Sequence, residues 1–176
     1  METIREFVIT LICVSLIVNY TGNVLKSISQ RIGSTPGIYA VYPAIIDTVG
    51  DVGSIIGSTA TTKLSLGLIG SSFSDIRGHF REISYGWIGS LLMFSLYSVI
   101  SSTIFGSTDF SKLISTTLLT NLIVIPIIGL ISFLVGIITF KRGLNPDNFI
   151  IPIETSLADS ITTYVLYSVI QLIYTI

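Results

Sequence analysis

Apolar residues run along this chain in long blocks rather than at helical or strand-like intervals. Four stretches approach or exceed the roughly 20 residues that a membrane-spanning helix needs: Phe7 to Leu25, Ile83 to Phe105, Leu113 to Phe140 and Phe149 to Ile176. A fifth, Tyr39 to Ile69, is apolar too, but it carries Asp47, Asp51 and Lys63 and is rich in Gly, Ser and Thr. Each charge would cost at least ~2.5–3.5 kcal/mol at the centre of an isolated spanning helix. That stretch therefore reads as a spanning helix with a polar face turned to protein, water or ions. The pattern predicts an all-α membrane protein with five transmembrane helices, at about 5–25, 39–69, 83–105, 113–140 and 149–176, in one polytopic domain covering 1–176.

Composition supports this reading. Of the 176 residues only 11% are charged, against roughly a quarter in soluble proteins. The net charge of -1 leaves no basic surface for nucleic acid. The only cysteine, Cys13, lies in an apolar run, which excludes a disulfide framework and a Cys-rich metal site. The N-terminal apolar run is preceded by Glu2, Arg5 and Glu6 rather than a basic cluster, so it reads as a retained anchor, not a cleaved signal. Asn19-Tyr20-Thr21 matches a glycosylation sequon only by chance, since it falls at or inside a helix end.

Loop charges set the expected orientation. Arg5, Arg77, Arg81, Lys141 and Arg142 share a side with the N-terminus, while Lys26, Arg31 and Lys112 lie opposite. The positive-inside rule then places the N-terminus inside and the C-terminus outside. The loops are short and leave no room for a soluble catalytic or sensing domain.

Chemistry is concentrated on two of the five segments. In the second, Asp47, Asp51, Ser54, Ser58, Thr61 and Ser65 follow at intervals of three or four and share one helix face. Gly50, Gly53 and Gly57 lie beside that stripe, and the Gly53/Gly57 spacing permits close approach of another helix. For the hydroxyls alone, helix packing with bonds back to the preceding turn suffices. Two carboxylates one turn apart inside a membrane ask for more. In the fifth segment, Asn145-Pro146-Asp147-Asn148 forms a turn and Pro152 opens the helix. Thr155, Asp159 and Thr162 or Thr163 then share a face. With Lys63 the only cation in any span, Asp159 must be protonated, hydrated or paired with a bound cation. Glu154 gathers ions at the inner mouth or simply favours the helix N-terminus.

Carboxylates, hydroxyls and amides suit a hard divalent cation, and magnesium in particular keeps several of its waters while touching one or two carboxylates. His79, in an inner loop, reads as solvated, and Asn121 and Pro126 read as an interhelical hydrogen bond and a kink. No nucleophile elbow, metalloprotease His pair or phosphate-cradling loop is present, so the chain does not read as an enzyme, and no organic cofactor is expected.

Two stretches carry a resemblance. Pro43-Ala44-Ile45-Ile46-Asp47-Thr48-Val49-Gly50-Asp51-Val52-Gly53-Ser54, continuing through Thr61-Thr62-Lys63, and Asn145-Pro146-Asp147-Asn148 through Pro152-Ile153-Glu154-Thr155-Ser156-Leu157-Ala158-Asp159 resemble the membrane domain of MgtE-type magnesium transporters, and more closely the eukaryotic solute-carrier magnesium transporters. The resemblance implies five helices per unit, an ion path between two units lined by the second and fifth helices, and a homodimer where the chain holds one unit. It also implies that Asp159 is the pore-site carboxylate. Where bacterial members usually have Gly-Asn and a later Gln, this chain has Gly50-Asp51 and no such Gln, a more acidic site.

The expectation is thus a multi-pass cell-membrane protein, embedded in the lipid bilayer, that moves Mg2+ or another divalent cation. Asp47, Asp51 and Asp159 are its metal ligands. Ser54, Ser58, Asn148, Glu154 and Thr155 support the path, and Gly50, Gly53 and Gly57 pack helices. The competing expectations are a proton- or sodium-coupled antiporter of the same fold and a non-transporting assembly subunit.

Overall fold

A computed structural model describes residues 2–32, 36–70, 77–78, 80–106, 109–144 and 147–174. Five helices follow in chain order: α1 (Glu2–Ile32), α2 (Pro36–Ser65), α3 (Phe80–Phe105), α4 (Phe110–Lys141) and α5 (Asp147–Tyr174). Each contains a segment long and apolar enough to cross a membrane, and no strand occurs among the described residues. The chain is a multi-pass helical membrane protein.

Helix ends explain where the observed bounds depart from the expected spans. α2 stops at Ser65, short of the expected Ile69, because Gly67 adopts a left-handed φ of 65°. The amide of Leu68 then reaches back to the Lys63 carbonyl at 2.9 Å and that of Gly67 to Leu64 at 3.1 Å, a Schellman cap that satisfies carbonyls the helix leaves open. Gly143, also at φ 65°, ends α4 the same way, with Leu144 bonded to Thr139 at 3.1 Å. α5 starts at Asp147, earlier than expected, so Pro152 lies in its second turn rather than at its opening.

α2, α4 and α5 pack on one another, α3 covers the α2/α4 side and α1 lies chiefly against α5. Ile45, Val49, Val52 and Ile56 of α2 recur on one face and are buried against Val124, Ile125 and Ile128 of α4 and Ala158 and Leu166 of α5. A smaller cluster of Ala60, Leu64, Phe133 and Ile137 closes the other end of α2 and α4. Lipid tails are as apolar as these side chains, so helix association in a membrane draws on close packing and interhelical hydrogen bonds rather than on burial from water. Such bonds join Ser98 to Thr117 at 2.7 Å, Asn121 to Ser90 at 2.8 Å and Thr48 to Tyr97 at 3.0 Å. Apolar side chains of α1 and α3, such as Leu16 and Leu92, both 68% exposed, face outward as lipid contacts. Asn19 and Thr21 sit inside α1, each bonded to the carbonyl four residues back, which is helical geometry and not an acceptor loop.

Candidate cation site

The face of α2 opposite its core row carries the acidic stripe. With Ile45 and Val49 turned inward, Asp47 and Asp51 project to the outer surface and are exposed, Ser54 is half-buried and Ser58 exposed. Thr61, expected on the same stripe, is instead buried and bonds back to the Ser58 carbonyl at 3.0 Å. Ser58 likewise bonds back to Ile55 at 3.2 Å, so its hydroxyl serves its own helix.

α5 completes the site. Pro43, Ile46, Asp47, Gly50 and Asp51 from α2 and Thr155 and Asp159 from α5 line a cleft of about 280 Å³. All three expected metal carboxylates therefore share one cleft. Asp159 is half-buried, and the charge that bears on it is Asp47. Thr155 bonds its own helix at the Pro152 carbonyl, 3.3 Å away. At the cleft's end beyond Asp159, the Tyr42 and Thr163 hydroxyls meet at 2.7 Å, and Thr163 also donates to the Asp159 carbonyl at 2.5 Å.

This cleft lies on the outside of the protomer. Among the described residues no three His, Cys, Asp or Glu groups converge closely enough to hold a metal ion. Three carboxylates thus line an open groove without forming a closed cage.

The remaining expected residues divide. Gly50 borders the cleft and lies close to Thr155. Gly53 and Gly57 are buried, and Gly53 faces Glu154 and Ile128 of the same chain. The small-residue spacing that permits close approach of another helix is used, at Gly53, inside the protomer. Glu154 is fully buried, with Ser132 of α4 donating to its Oε1. Asn148 belongs to the first turn of α5, but its side chain, like His79 and Asn145-Pro146, lies outside the described residues. Lys63 leaves the site altogether and pairs with Glu82 at 2.7 Å, tying the end of α2 to the start of α3.

Two residues of the site's surroundings escaped the sequence reading. Tyr42 lies just outside the polar stripe, though Thr163, one turn past Asp159, offered it a hydroxyl partner. Ser132 is one of several hydroxyl residues in α4, the most apolar helix, and nothing in the local pattern sets it apart.

A family model for MgtE, a divalent cation transporter domain, matches residues 42–169. The chain belongs to the MgtE family. The match begins at Tyr42 and includes every residue that lines the cleft. Comparison with curated proteins and with solved structures finds no match. MgtE proteins are divalent cation transporters, and the cleft carries the oxygen-only chemistry that such a cation requires.

Proposed function

We propose that this MgtE protein transports magnesium along a path formed when two copies bring their α2–α5 faces together, with Asp47, Asp51 and Asp159 of each copy around the ion. The observation that carries this reading is the exposure of the carboxylate cleft on the protomer's outer face. Carboxylates facing lipid at that depth cost several kcal/mol, and a second copy related by two-fold symmetry would cover them with the same surface. Up to six carboxylates then surround one route, and so much negative charge requires a cation. A magnesium ion that keeps part of its water shell can be held through those waters by carboxylates spaced too widely for direct coordination. Ser54 and Thr155 border the route as weaker oxygen partners. The whole chain acts as one membrane domain, with the N-terminus inside and the C-terminus outside.

The test is flux into proteoliposomes under magnesium, manganese, calcium and sodium gradients. Magnesium flux that falls most in Asp159→Asn and less in Asp51→Asn and Asp47→Asn is the expected result. Wild-type magnesium flux and apparent affinity in Asp159→Asn would overturn the assignment, and flux that requires a proton or sodium gradient would favour an antiporter.

A further inference from the structure

Among the described residues Glu154 is the most completely buried acidic side chain, at 0% exposure, yet it does not line the cleft. Its surroundings come from two other helices, α4 and α2. Ser132 of α4 donates to Oε1, while Oε2 is buried with no hydrogen-bond partner among the described residues. On α2, Gly53 lies directly beneath the carboxyl, and a methyl group at that position would overlap it and stand 2.6 Å from an Ile128 methyl. The adjacent residue, Thr155, faces Gly50 in the same way, at 3.8 Å from where a Gly50 side chain would begin. Glu154 and Thr155 therefore mark the crossing of α5 over α2. Thr155 is on the cleft side of that crossing and Glu154 on the side that faces α4.

We propose that Glu154, held by Ser132, is a positioning residue that fixes the rotation of α5 against α2 and so sets the spacing between Asp159 and the carboxylates of α2. The proposal rests on the reading of the cleft as the cation path. Asp159 follows Glu154 by five residues, about 7.5 Å along the axis. Carboxylate oxygens stand about 5 Å from a helix axis, so a 20° rotation of α5 displaces those of Asp159 by about 2 Å. Magnesium demands near-ideal octahedral geometry from its ligands and waters, whereas calcium accepts variable coordination. A displacement of that size weakens magnesium binding more than calcium binding. No charge is needed for this role: an acceptor of the right length that reaches Ser132 suffices.

Ser132→Ala, Glu154→Ala and Glu154→Gln in proteoliposomes, with Asp159→Asn alongside, test it. Ser132→Ala removes the hydroxyl without adding volume, so the question survives even if Glu154→Ala fails to fold. We expect Ser132→Ala and Glu154→Ala to raise the half-saturating magnesium concentration about three- to tenfold and to narrow the preference for magnesium over calcium, with maximal flux little changed. Glu154→Gln, which keeps the acceptor, should fall within about twofold of wild type. Glu154→Gln as impaired as Glu154→Ala would overturn the positioning role and assign the ionisable group itself to transport. Wild-type affinity and selectivity in Ser132→Ala would overturn it too. If Asp159→Asn loses flux while the Ser132 and Glu154 variants keep wild-type affinity, only the positioning role falls. If Asp159→Asn transports normally, the cleft assignment falls and the positioning role falls with it.

Discussion

The hydroxyls of Tyr42 and Thr163 meet at 2.7 Å and join α2 to α5 one turn beyond Asp159. Because Thr163 also holds the Asp159 carbonyl, the contact braces the backbone that carries the central carboxylate. Tyr42→Phe deletes one hydroxyl and keeps the ring. It should destabilise the protein by about 0.5–1.5 kcal/mol, read as a lowered midpoint of thermal unfolding in detergent, and reduce magnesium flux by only a few-fold.

Magnesium itself should stabilise the protein. A ligand that binds the folded state alone adds about 2.7 kcal/mol at one hundred times its dissociation constant. Thermal unfolding with increasing magnesium should show a rising midpoint for the wild type and a smaller rise for Asp159→Asn. Equal rises would place the ion elsewhere.

Gly53 separates internal packing from assembly. Since it faces Glu154 and Ile128 of its own chain, Gly53→Ala should destabilise the protomer by about 1–3 kcal/mol through overpacking. The oligomeric state of whatever remains folded should not change. Loss of oligomer with an intact unfolding midpoint would mean that the residue faces a partner.

Lys63 and Glu82 form a partly buried pair at 2.7 Å, and Lys63 also reaches the Gly78 carbonyl at 3.3 Å. Lys63→Met leaves Glu82 without its strongest partner and should cost about 1–3 kcal/mol. Adding Glu82→Gln should recover part of that loss, a coupling that a double-mutant cycle on unfolding midpoints measures.

Membrane topology is testable on a cysteine-free background, because Cys13 is the only thiol to replace. Single cysteines at Arg77 and Lys141 should be labelled from the same side and one at Lys112 from the other. Opposite labelling of Arg77 and Lys141 would break the five-crossing map.

Much of this arrangement could be read before any coordinates. Apolar block length marks all five helices, because a membrane makes length and hydropathy sufficient. The three- and four-residue spacing of Asp47 and Asp51 placed both on one face, and that face is exposed, as a polar stripe opposite Ile45 and Val49 must be. What periodicity does not contain is which neighbour a face meets. Gly53 is rotated well away from Asp51 on the helix, and its partner Glu154 is a hundred residues distant in sequence. Whether such a glycine serves its own bundle or another copy is decided only by the order in which helices pack. The same reason hid Glu154, whose carboxyl looks like a helix-start preference until Ser132 is seen beside it.

Five is an odd number, and that has an evolutionary consequence. With the proposed map, the five-helix unit starts on one side of the membrane and finishes on the other. A simple head-to-tail gene duplication would therefore insert its second half upside down, presenting the α2–α5 carboxylates in inverted order along the membrane normal. A two-fold axis perpendicular to the bilayer is open to two separate chains at once, but a fused version requires an additional crossing between its halves.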